Sequence, residues 1–131
     1  MKIRLRKLPR KYLIILFTLP AVIIFGTFIS TYINVSKSCK NVKNKYGTDC
    51  VDGMIKTLES VNTSAEEKNH AIWVLGKLAD KKASPTLRSL YARSLSKYGA
   101  LDKKINERKL VKAMNRCSKD NYTNWMYERV K

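Results

Sequence analysis

His70 is the only histidine in the chain, and imidazole is the side chain best suited to exchange a proton near neutral pH. A general base also needs a nucleophile within reach and a partner that orients it. The residues around His70 signal no Ser-His-Asp or Cys-His pairing, and it reads as a partly exposed residue in the first turns of a helix. The three cysteines, Cys39, Cys50 and Cys117, show no C-x2-C spacing and form no H-x3-H pattern, so no zinc site is expected. Cys117 continues an apolar helical stripe and suits a buried thiol. If the domain is exported, one of three pairings can form a disulfide and leave one thiol over. Cys39–Cys50 and Cys50–Cys117 both suit the order of the elements. The acidic residues sit near lysines at helical spacing or at helix starts, as solvated faces and caps. The five glycines are scattered, so no phosphate-cradling loop is expected. None of these residues implies a catalytic role or a cofactor.

Charge offers more. There are 27 Lys and Arg against 10 Asp and Glu, a formal charge of +17. Six of the positives (Lys2, Arg4, Arg6, Lys7, Arg10 and Lys11) precede an apolar run. The remaining 21 against 10 leave +11 on the rest of the chain. Lys81, Lys82, Lys103, Lys104, Arg108, Lys109 and Lys112 form a candidate patch for anionic lipid or nucleic acid. The plainer account is a generally basic surface held near an anionic membrane. Trp73, close to an apolar stripe, is expected in the core and not as a ligand platform.

The elements that would position these groups begin with a membrane segment. Tyr12–Ile33 is 22 residues without a charge. As a helix it is about 33 Å long, enough to cross a hydrocarbon core with some tilt. Pro20 and Gly26 are tolerated there. A cleaved signal has a shorter apolar region ending in small residues. Here the run ends ISTYINVSKSC, with no such site, and Lys37 sits two residues before Cys39, which disfavours a lipoprotein signal. A retained single-pass anchor is therefore expected. More basic residues flank it on the N-terminal side than at Lys37, Lys40, Lys43 and Lys45, which favours a cytoplasmic N-terminus and an exported domain. An exported domain makes nucleic acid a disfavoured partner.

After the basic flank (1–11) and the membrane helix (12–33), residues 34–48 are polar and Asn/Ser-rich and read as a tether. From 49 to 131 the apolar period is that of helices throughout. Val51, Met54, Ile55 and Leu58 form one stripe. Ser64 with Glu67 is a capping-box pattern, and Ala71, Ile72, Leu75, Leu78 and Ala79 form the next stripe. Asp80 can cap a third helix bearing Ala83, Leu87, Leu90 and Tyr91; Pro85 either kinks it or stands in the first turn of a helix restarted at Ser84. Tyr98 and Gly99 break the period between Ser96 and Lys104. Leu110, Val111, Met114 and Cys117 then form a fourth stripe. The fold class is all-α. Met54 and Leu58 align with Leu87 and Tyr91, and Ala71–Leu78 with Leu110–Cys117, a weak repeat of two helix pairs.

The run AIWVLGKLADKKASPTL (Ala71 to Leu87) resembles the join between two HEAT repeats, with Asp80, Lys82, Ala83 and Pro85 in the family's places. Lys82 departs from the usual arginine, and a lysine lacks the forked contacts that stiffen such a turn. Residues from about 50 to 131 are similar to small bacterial membrane-tethered HEAT-like proteins. The resemblance implies a two-repeat stack acting as a scaffold for an unidentified protein partner, and it brings no catalytic residues. Two repeats leave an apolar edge to cover. Tyr122, Trp125 and Met126, with Val130, are expected either to fold back as a cap or to stand out as a hook for a partner. If the anchor is retained, the intact mass of membrane-extracted protein includes residues 1–33. A soluble species starting near Ser36–Lys40 would show cleavage instead.

Overall fold

The computed structural model describes residues 10–95, 104–118 and Tyr127, with side chains from Thr18 onward. The regular elements are all helical: α1 (Arg10–Tyr46), α2 (Cys50–Glu59), α3 (Ala65–Leu78), a 3-10 turn (Lys81–Ala83), α4 (Ser84–Leu95) and α5 (Glu107–Ser118). No strand occurs among the described residues. Two compact units divide the chain, the first ending at Asn34 and the second beginning at Val35.

The first unit holds the apolar part of α1. Val22 and Phe25 are 69% and 72% exposed, and Ile23, Ile24, Phe28, Ile29 and Ile33 are exposed as well. An uninterrupted apolar surface of this kind marks contact with a partner or a membrane. The helix is long and apolar enough to cross a bilayer. Two of its hydroxyls bond back within it: Thr27 donates to the carbonyl of Ile24 and Thr31 to that of Thr27, both at 2.8 Å.

The second unit corrects the reading of 34–48 as a tether. Helix α1 runs on to Tyr46, and within that stretch Val35 and Cys39 are buried while Val42 packs against the core. Their spacing, i, i+4, i+7, is one helical face. It is only three residues wide among lysines and asparagines, so composition masks it. The compact domain therefore starts at Val35 and not at 49.

Helix α2 begins at the Asp49 cap, whose carboxylate accepts from the Asp52 amide at 3.3 Å. A Cβ on Gly53 would run into the Val42 side chain, so the glycine lets α2 approach the end of α1. Helix α3 starts with the expected capping box, each Ser64–Glu67 bond being 3.2 Å long. Asp80 caps the 3-10 turn through the Lys82 amide at 3.0 Å. Helix α4 restarts at Ser84 with Pro85 in its first turn, where the missing N–H costs nothing. Asn106 accepts from the Lys109 amide at 3.1 Å and so starts α5. Helix α3 packs on both α2 and α5, and α4 packs on α5.

Met54, Leu58, Ile72, Leu75, Leu78, Leu87, Leu90 and Leu110 are fully buried, as their periodicity predicts. The stripe of α5 differs. Leu110, Ala113 and Cys117 are its buried residues, Met114 is half-buried, and Val111 is 38% exposed. The reason lies across the interface. A Cβ on Gly76 would stand 3.0 Å from the Ala113 Cβ, so α3 and α5 meet through two small residues and rotate Val111 outward. Residues 96–103, where the period breaks, and the candidate cap or hook (Tyr122, Trp125, Met126 and Val130) lie outside the described residues. Tyr127 between them is 5% exposed and belongs to the core.

These positions give a paired expectation for the full-length chain in detergent. Leu75→Ala should cost about 2–5 kcal/mol of stability, and Val111→Ala within about 0.5 kcal/mol of nothing. Denaturant unfolding monitored by circular dichroism would reveal a misassigned face if the two effects came out equal.

Candidate functional site

Two grooves flank α3 within the second unit. The larger, about 400 Å³, is lined by the end of α1 (Ser38, Asn41, Val42, Lys45), by α2 (Met54, Thr57) and by α3 (Glu66, Glu67, His70, Ala71). Its floor is apolar at Val42, Met54 and Ala71, and its rim carries groups of both signs. Thr57 is spoken for, donating to the Gly53 carbonyl at 2.9 Å. Ser38 and His70, 32 residues apart, meet at 2.7 Å between hydroxyl and Nε2. Local sequence gives no sign of that pair, because only the packing of α1 on the domain creates it. A hydroxyl beside an imidazole is the start of a nucleophile–base arrangement. A triad also needs a group orienting the other ring nitrogen. Among the described residues no carboxylate does this; the neighbouring Glu67 is engaged in the capping box. His70 instead stacks on Trp73, with ring centroids 5.6 Å apart.

One wall of this groove is fixed covalently. Cys39 on α1 and Cys50 at the start of α2 form a disulfide, which decides between the admissible pairings. Cys117 takes no part in the disulfide; its buried thiol donates to the Leu75 carbonyl at 3.5 Å. It serves packing, as its place in the stripe suggests.

The smaller groove, about 250 Å³, lies between α3 and α5 and is lined by Trp73, Gly76, Lys77, Lys109, Lys112 and Arg116, with Ile72 and Ala113. Arg116 donates from Nη1 to the Gly76 carbonyl at 3.4 Å. The Lys77 ammonium stands 5.8 Å from the centre of the Trp73 ring. Its pKa is lowered, first by burial and then by the charges of Arg116 and Lys112. Trp73 is half-buried: one part joins the core as expected, while its rim faces this groove.

The candidate basic patch is redistributed accordingly. Lys109 and Lys112 reach the groove, together with Lys77 and Arg116, which spacing along the sequence did not single out. Lys82 goes elsewhere. Its ammonium lies 2.7 Å from Asp52 and 3.9 Å from Asp49, which raises its own pKa and lowers that of Asp52. Lys81, Lys104 and Arg108 are surface residues that do not line the groove, and Lys103 lies outside the described residues. Asn69, also unforeseen, clamps the approach to α5. It donates to the Lys104 carbonyl at 3.2 Å and accepts from the Asn106 amide at 2.8 Å. No group of three or more metal-ligating side chains occurs among the described residues.

Comparison with protein-family models, with curated proteins and with solved structures finds no match for this chain.

The disulfide closes a loop whose ends are 11 residues apart, for which loss of unfolded-state entropy stabilises by on the order of 2–3 kcal/mol. The variant with Cys39→Ser and Cys50→Ser should unfold earlier in denaturant by that amount. Alkylation of freshly denatured cells should modify Cys117 alone; labelling of all three thiols would show that the bond does not form where the protein resides.

Proposed function

We propose that this chain is a membrane-anchored, non-catalytic interaction module that presents a HEAT-like pair of helical hairpins to a protein partner. The observation that carries this reading is the groove of about 400 Å³ between α1, α2 and α3. Its apolar floor offers the burial that drives association. Its rim of Ser38, Asn41, Lys45, Glu66 and His70 offers directional contacts of the kind that fix a partner's register. The helix pairing of α2 with α3 and of α4 with α5 is the arrangement two stacked hairpins would adopt, which supports the family resemblance.

The anchor is Tyr12–Ile33, retained and single-pass. The disulfide supports an exported domain, since such bonds persist in oxidising compartments and are rare in the cytosol. With the N-terminus cytoplasmic, the charge distribution around the span agrees. That compartment leaves protein as the favoured partner class over nucleic acid.

Site-specific photo-crosslinking in native membranes tests this. A photoreactive residue at Asn41 or Glu66 should give a discrete protein adduct, and one at Arg88 on α4 should not. Adding Asn41→Trp, which fills the groove mouth without touching the core, should abolish the Glu66 adduct. Equal labelling from all three positions, or none, would remove the groove from consideration.

A further inference from the structure

The groove between α3 and α5 does something the larger groove does not: it concentrates like charge. Because Gly76 and Ala113 touch, their sequence neighbours Lys77 and Lys112 are carried to facing lips of the same cleft. One turn along α5 from Lys112, Lys109 and Arg116 extend the ring of cations in both directions, with Arg116 steadied by the Gly76 carbonyl. Among the described residues, no carboxylate pairs with Lys77, Lys109 or Lys112. Lys82, by contrast, is held by Asp49 and Asp52 at the start of α2.

We propose that this groove binds a phosphate group, with Lys77, Lys109, Lys112 and Arg116 as its donors and the Trp73 indole as the wall against which the rest of the ligand lies. Lys77, Lys109 and Lys112 place three positive charges around about 250 Å³, and like charges so placed repel one another. A carboxylate brings a single negative charge and leaves most of that repulsion in place. A phosphate monoester carries about −1.5 to −2 at neutral pH and presents three strong acceptor oxygens. Its geometry also suits the guanidinium fork of Arg116, while the three lysines act as mobile point charges. The depressed pKa of Lys77 agrees, since a bound dianion would reverse the influence of Arg116 and Lys112. Trp73 is half-buried with one edge on the cleft, and that edge offers apolar contact to the portion attached to the phosphate. Two sources share this chemistry, a lipid whose headgroup is a phosphate monoester (phosphatidic acid) and a soluble phosphorylated molecule. The proposal is independent of whether the larger groove takes a protein.

The test uses the full-length chain in nanodiscs of phosphatidylcholine, in two arms. Inorganic pyrophosphate is titrated by calorimetry, and vesicles containing phosphatidic acid are tested by co-flotation against phosphatidylcholine vesicles. The variant pair Lys109→Gln with Lys112→Gln alters only exposed side chains of the groove. The matched control, Lys43→Gln with Lys56→Gln, removes the same charge elsewhere on the domain. Binding in either arm that falls at least tenfold in the groove variant and less than threefold in the control is the expected result. Pyrophosphate binding would identify a soluble ligand, and vesicle binding alone a lipid headgroup. Equal weakening by the two variants would reduce the effect to general charge attraction and overturn the site. So would the absence of binding in both arms, or tighter groove-dependent binding of a polyglutamate peptide than of pyrophosphate.

Discussion

Helix α3 buries more of its circumference than one neighbour can cover. Ala71, Ile72, Val74, Leu75 and Leu78 are at most 1% exposed, and together with the buried Gly76 they span about 200° of the helix at about 100° per residue. Such a helix is stable only when enclosed from several directions. Helix α2 and helix α5 supply two of the walls, and the end of α1 approaches the turn that carries His70. Along its later turns the uncovered side carries the strip His70, Trp73 and Lys77, at spacing i, i+3, i+7, continuing from the exposed Glu66. Both grooves border this strip. Trp73 sits at its centre, stacked on His70 on one side and carrying the Lys77 ammonium on the other. The two grooves are thus the margin left over by the packing of α3.

The margins are held open by different means. In the larger groove, the wall from α1 is tied to α2 by the Cys39–Cys50 bond and seated where Gly53 leaves room for Val42. In the smaller one, the lips are set by the Gly76–Ala113 contact, where backbone meets side chain with no flexible group between. A groove whose walls are fixed before binding loses less entropy when it is occupied. Asn69 contributes to the same end, since its amide pins the backbone at Lys104 and Asn106 and with it the start of α5.

Where apolar residues are dense, the sequence is enough to read the helices. Met54, Leu58, Ile72, Leu75, Leu87 and Leu90 stand inside as their spacing requires, and Ser64 with Glu67 marks the start of α3. Two failures have physical causes. The end of α1 has only Val35, Cys39 and Val42 facing inward, and Cys39 invites thought of redox chemistry before packing. On α5, Val111 outweighs Ala113 in hydrophobicity, yet Ala113 is inside because Gly76 opposite accepts nothing larger. Complementarity across an interface is invisible to a period counted along one helix. The same holds for the sites. Ser38 and His70 are 32 residues apart, and nothing near either announces the other.

Formal charge is the least informative quantity of all until partners are known. Lys81-Lys82 and Lys109 with Lys112 look alike in sequence, as basic residues near helix starts. In the fold, Lys82 is drawn between Asp49 and Asp52, where it joins the turn before α4 to the first turn of α2. That exposed pair contributes little energy in water, since solvent screens it. Its consequence is local neutrality: the turn no longer attracts an anion. Lys77, by contrast, lies partly buried beside Arg116 and Lys112, so its positive charge is opposed and not relieved by its surroundings. A protein tolerates such an arrangement at a cost to folding, because burial and like charge both disfavour the ammonium. Compensation has to come from packing, and Gly76, Ala113 and the indole of Trp73 supply it directly beneath the cations. The cleft therefore sets a close contact of two small residues beneath lysines that no described carboxylate pairs with, and that contact is what carries Lys77 and Lys112 to facing lips.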